Sequence, residues 1–170
     1  MTKELTKKMI DIVRTQMLYN ISNGWSWYAY KKLGPQGILE IELEMWDSLM
    51  PPAVDLLYQL IEPEGNDIEK ARQVLTEVSK ISGYVPKNIE QTPKTLKWTY
   101  KICPNWNSMI QMDLDDYISK NGNPAKVSCI HGCTKIHTHY FRKINPKVKV
   151  QSIKNRPNAD DTCIFKIFFE

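Results

Sequence analysis

Helical periodicity fills the first half of the chain, and the one strictly alternating run begins only at Thr95. Helices come first, then strands interleaved with a further helix. That order predicts an α+β fold, with N-terminal helices packed on a small antiparallel sheet and an additional helix in the C-terminal half. The 170 residues and 19.8 kDa fit a single domain, 1–170, helical over about 3–82 and mixed over about 84–170. Hydrophobic residues at 42% and charged residues at 25% match a globular chain and exclude a disordered tail or a fibre.

Leu5 to Leu33 reads as helix, with Met9, Ile10, Val13, Met17 and Ile21 forming one apolar stripe expected to face the core. Gly24 weakens it, and Trp25, Trp27, Tyr28 and Tyr30 follow at once. Leu33-Gly34-Pro35 ends this helix and starts the next, glycine at the C-cap and proline in the first turn. The second helix reaches about Leu49, and Pro51-Pro52 is expected to break or kink it, because proline lacks the amide donor. Helix resumes over Ala53 to Ile61, and another spans Ile68 to Ile81, with Asp67 as N-cap and Gly83 closing it.

Thr95 to Cys103 is the clearest strand, with Leu96, Trp98, Tyr100 and Ile102 on one face and Cys103 on the other. Tyr84 to Gln91 is its expected hairpin partner. A short helix is expected from Asn107 to Lys120 and a longer one from Ala125 to Ile144, stopped by Asn145-Pro146. Val148 to Ile153 and Cys163 to Phe169 complete the strands, joined by the polar loop Lys154 to Asp161.

The net charge is +4 and unevenly spread. Nine acidic residues lie between Gln36 and Lys70 against one basic, and nine basic residues lie between Asn121 and Glu170 against three acidic. Such a polarity either steers anions toward the C-terminal half or is simply two solvated faces of opposite sign. No nucleic-acid motif concentrates the basic residues, so no nucleic-acid partner is expected. No apolar run approaches the roughly 20 residues of a membrane helix, and the charged N-terminus lacks a secretory core, so no membrane is expected and the location is read as cytoplasmic. A homo-oligomer stays open.

All four cysteines lie in the second half: Cys103, Cys129, Cys133 and Cys163. On a helix, Cys129, Cys133 and His137 fall at i, i+4 and i+8 and share one face, with His131 and His139 turned to solvent. Thiol beside imidazole has three uses: plain packing, a shared zinc or iron ion, or an imidazole that holds a cysteine as thiolate for attack on carbon. The candidate nucleophiles are Cys133 and Cys103, with His137 moving the proton. The candidate metal ligands are Cys103, Cys129, Cys133, His137 and Cys163. Cys163 shares a face with Phe165 and Ile167 and is also a core candidate. Five tryptophans is a high number. Trp25, Trp27, Tyr28, Tyr30, Trp46, Trp98 and Trp106, with Tyr140, are either core or the walls of a pocket for a small flat ligand.

Asn23-Gly24-Trp25, Leu33-Gly34, the acidic helix ending in Trp46, Cys103-Pro104, the Cys133 helix ending at Ile144-Asn145-Pro146, and Asp160-Asp161-Thr162-Cys163-Ile164-Phe165 together resemble the L-2-amino-thiazoline-4-carboxylate hydrolase-like family. The resemblance spans roughly Asp11 to Phe169. The closing pattern is also similar to small-ligand sensor domains of the vinyl-reductase type, with Ala159 where those have glycine. Asn23 stands where relatives tend to have aspartate. The resemblance implies hydrolysis of a carbon–nitrogen bond in a small cyclic amidine by cysteine and histidine. The alternative is a non-catalytic, sensor-like domain holding a small molecule or metal in the same pocket. A protein-interaction domain using its acidic helix face is the third reading, and it predicts no pocket at all.

Overall fold

The computed structural model describes residues 6–111, 124–156 and 160–170, with the side chains of residues 35 and 124–130 outside that description. Helix α1 (Lys7–Ile61) starts at Thr6, whose hydroxyl accepts the Met9 N–H, and it is broken once, at Gly34. There φ is 71° and ψ 179°, a backbone region that is essentially glycine's alone. The break folds the helix into two arms. Ser26 donates to Glu42 Oε1 at 3.1 Å, although 16 residues of straight helix would hold them about 24 Å apart.

Pro51-Pro52 does not break the second arm, contrary to expectation, because the chain beyond the prolines is held in place from outside. Met50, Val54 and Leu57 are buried beside them. On either side of the pair, Asp47 binds Lys135 at 2.5 Å and His139 at 3.1 Å, and Asp55 binds Lys143 at 2.5 Å. Tertiary contacts on both flanks outweigh the two missing amide donors.

The first arm also corrects the apolar stripe. Val13, Met17 and Ile21 are 48%, 57% and 68% exposed, and the inward face is polar. Its groups are satisfied instead by an amide and hydroxyl network. Asn23 Nδ2 donates to the Asn105 carbonyl and to Ser108 Oγ, Ser108 donates to Asn20, and Tyr19 donates to the Ser82 carbonyl. Helical periodicity identified a stripe but could not say which stripe would find partners.

Helix α2 (Asp67–Ser82) is capped by Asn66, one residue before the expected Asp67. Asn66 Oδ1 accepts the N–H groups of Ile68 and Glu69, and Glu69 reaches back to the Asn66 N–H at 2.8 Å, a capping box. Strands β1 (Pro86–Gln91), β2 (Thr95–Tyr100), β3 (Lys149–Lys154) and β4 (Cys163–Phe168) form one antiparallel sheet in the order β1-β2-β4-β3. The hairpin between β1 and β2 turns at Thr92, whose N–H donates to the Thr95 carbonyl. Helix α3 (Pro104–Gln111) starts three residues earlier than expected, and the remainder of the expected 107–120 helix lies outside the described residues. Helix α4 (Pro124–Arg142) completes the fold.

An α+β fold with an antiparallel sheet and helices against it is therefore the architecture the chain adopts. Register explains the core: Leu96 faces Ile167, Trp98 faces Phe165 and Tyr100 faces Cys163. Their shared face packs with Ala71, Val74 and Leu75 of α2 and Phe141 of α4. Strand β2 ends at Tyr100, so alternation no longer governs the residues beyond it. Ile102 is exposed and Cys103 is buried, the reverse of the expectation.

Candidate functional site

The two arms of α1, the start of α3, α4 and the β2–β4 end of the sheet enclose a cavity of about 260 Å³. Tyr19 and Asn23 come from the first arm, and Glu42 and Trp46 from the second. Cys133, His137 and Tyr140 come from α4, Cys163 and Phe165 from β4. Tyr84, Tyr100, Cys103, Trp106 and Arg156 close the remaining sides. A larger depression of about 640 Å³ beside the outer end of the first arm is lined by Lys7, Asp11, Ile102 and Pro104 among others, with no thiol or imidazole among the described residues that line it.

His137, Tyr100, Cys103, Cys163 and Arg156 are each held by hydrogen bonds to neighbours. His137 sits one helical turn after Cys133, and its Nδ1 lies 2.6 Å from the Cys133 carbonyl. A carbonyl only accepts, so Nδ1 carries the proton and Nε2 presents a lone pair. That lone pair lies 3.5 Å from the Tyr100 hydroxyl, itself 3.2 Å from Ser79 Oγ. Phe165 stacks on the imidazole at 4.8 Å between centroids, and Trp98 lies at 5.3 Å. Burial in this aromatic setting pulls the His137 pKa down to about 4, against a smaller upward pull from the Cys133 carbonyl. His137 is thus a neutral acceptor at neutral pH. A neutral ring carries no standing positive charge and acts as an acceptor for a hydrogen bond or a proton.

Burial pushes the phenols of Tyr19, Tyr84, Tyr100 and Tyr140 up from their ordinary value, so all four stay protonated. The Cys103 thiol donates to Tyr84 Oη at 3.7 Å. Cys163 Sγ receives the Arg156 backbone N–H at 3.5 Å and the Arg156 Nε–H at 3.4 Å. Arg156 is 2% exposed, and its Nη2 is held by the carbonyls of Tyr100 and Lys101 at 2.9 and 3.1 Å. Trp106, also 2% exposed, has no partner for its indole N–H among the described residues.

Of the residues singled out in the sequence, Cys103, Cys133, Cys163, His137, Trp46, Trp106 and Tyr140 line this cavity. Trp98 lies fully buried at the core face beneath His137. Trp25 and Tyr28 are exposed, and Trp27 stacks on Tyr30 at 5.9 Å under Lys31, all away from the cavity. They follow the outward apolar face of the first arm. The Cys129 side chain and Ala159 lie outside the described residues. His131 is exposed, whereas His139, expected in solvent, is half-buried against Asp47.

Among the described residues, no three His, Cys, Asp or Glu side chains could hold one metal ion. Cys103, Cys133, His137 and Cys163 therefore do not form the expected zinc or iron set. Cys103, His137 and Cys163 are each tied to a separate neighbour on a different wall. No described helix is long and apolar enough to cross a membrane. Sequence reasoning missed Tyr19, Glu42, Tyr84, Tyr100 and Arg156 as site residues. Tyr19, Asn23 and Ser26 fall at i, i+4 and i+7, a polar stripe that was there to be read. Arg156 gave no signal.

Compared with protein-family models, with curated proteins and with solved structures, the chain finds no match.

Proposed function

We propose that the protein binds a small organic molecule in the cavity between the two arms of α1. The observation that carries the reading is one enclosed space walled by three thiols, four protonated phenols and a neutral imidazole acceptor. A volume of about 260 Å³, just below the range of drug-sized pockets, suits a compact ligand. The lining offers many hydrogen-bond donors and acceptors, which favours a neutral or zwitterionic heterocycle over a bulky or highly charged one. A cytoplasmic location belongs to the same proposal, since thiols serve as ligands where they stay reduced. Trp46 and Trp106 line the space, so tryptophan fluorescence reports on it. Titration with 2-amino-thiazoline-4-carboxylate and with 2-aminothiazoline, which lacks the carboxylate, is expected to change emission to saturation, and the change is expected to shrink in Trp46→Phe. A flat signal with both compounds refutes this ligand class.

A second reading, hydrolysis of a carbon–nitrogen bond in a cyclic amidine, is favoured by the unprotonated Nε2 of His137. A cysteine of the cavity would attack the ring carbon, the nitrogen would leave with a proton, and water would release the product. His137 would accept and return protons. Ring opening measured in the four single Cys→Ser variants tests it. Full activity in all four removes the thiol mechanism.

A further inference from the structure

We propose that Cys163 is the reactive thiol of the cavity, the one that bonds covalently to a small ligand carrying an electrophilic C=O or C=N carbon. This rests on the cavity's being a ligand site. Cys163 starts β4, paired opposite Tyr100, so its sulfur is held at the rim of the sheet where the cavity begins. Two N–H donors from one residue converge on that sulfur, the Arg156 backbone at 3.5 Å and the Arg156 guanidinium at 3.4 Å. The attacking form of a cysteine is the anion, and neighbouring cations and N–H donors stabilise the charge that gathers on sulfur.

Arg156 cannot swing away easily. One of its guanidinium nitrogens bonds two backbone carbonyls, and Lys154, two residues before it, pairs with Asp161 at 2.7 Å. The other thiols are held differently. Cys103 donates its proton to Tyr84 and is buried; Cys133 and Cys163 both pack half-buried against the hydrophobic core, and it is the pair of Arg156 donors that sets Cys163 apart. An independent sign of a ligand comes from Trp106. It lines the same cavity, is 2% exposed, and leaves its indole N–H unpaired among the described residues. The Trp98 indole N–H is also unpaired among the described residues but is sealed in the core, whereas Trp106 lies beside a cavity in which a ligand's carbonyl oxygen or amidine nitrogen can accept from it.

The step conserves every atom. Sulfur forms a bond to the carbon, the π pair of C=O or C=N moves to the heteroatom, and the thiol proton ends there. No oxidant or co-reactant is needed.

Iodoacetamide tests the thiol itself. The C–S bond forms, iodide leaves and the proton goes to buffer. Limited alkylation at pH 7 followed by peptide mapping is expected to label Cys163 first, about tenfold faster than in the same chain unfolded in urea. Cys163→Ser is expected to remove that fast phase, and Arg156→Gln to slow it. Label arriving first at any other cysteine, or a Cys163 rate no greater than in the unfolded chain, overturns the proposal. The native-to-unfolded comparison uses the wild-type chain and stands even if Arg156→Gln does not fold. Fast Cys163 labelling without any fluorescence response to the heterocycles would leave this inference standing and remove only that ligand class. Saturable binding with slow Cys163 labelling would do the reverse.

Discussion

Lowering the pH from 7 to 5 adds a proton to a histidine in the unfolded chain but not to His137 in the folded one. Its pKa is about 4 when folded, against 6.5 for a histidine open to water. The folded value is the lower one, so the unfolded state binds more protons between these two pH values and folding stability falls as pH falls through them. Above about 6.5 the protein keeps the full benefit of a neutral buried ring. At pH 5 the expected loss is about 2 kcal/mol, approaching about 3 kcal/mol near pH 4, at 1.36 kcal/mol per unit of difference. The comparison is urea unfolding of wild type and His137→Gln between pH 7 and 4.5. Glutamine keeps an amide donor for the Cys133 carbonyl but cannot titrate. Asp47, whose pKa Lys135 pulls below the usual carboxylate range, is present in both proteins and cancels in the difference. The wild type should lose stability more steeply, by the stated amount at pH 5. Equal slopes in the two proteins would show that His137 is not held neutral, and the argument for its acceptor role would fail with it.

Gly34→Ala meets no atom within 4 Å at its new Cβ, so its cost is backbone strain alone, about 1–3 kcal/mol in urea unfolding. A neutral substitution would mean that the turn between the arms is not at φ 71°. Phe165→Ala removes a ring packed on both His137 and Trp98 and is expected to cost about 3–5 kcal/mol; a loss below about 1 kcal/mol contradicts the packing described. Asn66→Ala is expected to cost about 1 kcal/mol through loss of the capping box, whereas Asp67→Ala, at the residue the sequence nominated, leaves that box intact.

The alternating run at Thr95 and the glycine at position 34 were legible because each depends on local chemistry. Alternation of Leu96, Trp98 and Tyr100 describes a strand buried on one face whatever it pairs with. Gly34 followed by Pro35 marks a helix boundary through backbone freedom and a missing donor. Pro51-Pro52 was misread because the cost of a proline is local, while the Asp47 and Asp55 contacts that offset it come from α4. The first arm was misread for a similar reason. Its apolar residues make a better stripe than Tyr19, Asn23 and Ser26, yet the polar side found hydrogen-bond partners in residues 63 to 85 positions away and in Glu42.

For the candidate site, the sequence nominated thiols, an imidazole and aromatic residues from types and spacing. It could not say that Cys103, Cys133 and Cys163 line one space while Trp25 and Tyr28 face outward. Composition, periodicity and turn residues determined an α+β chain of helices followed by strands, since those signals act within a few residues. Which sulfur meets a guanidinium, which ring loses its water and which tryptophan reaches the cavity were decided only when distant segments packed. Burial and hydrogen-bond pairing are set by neighbours in space, and a linear chain does not specify them one by one.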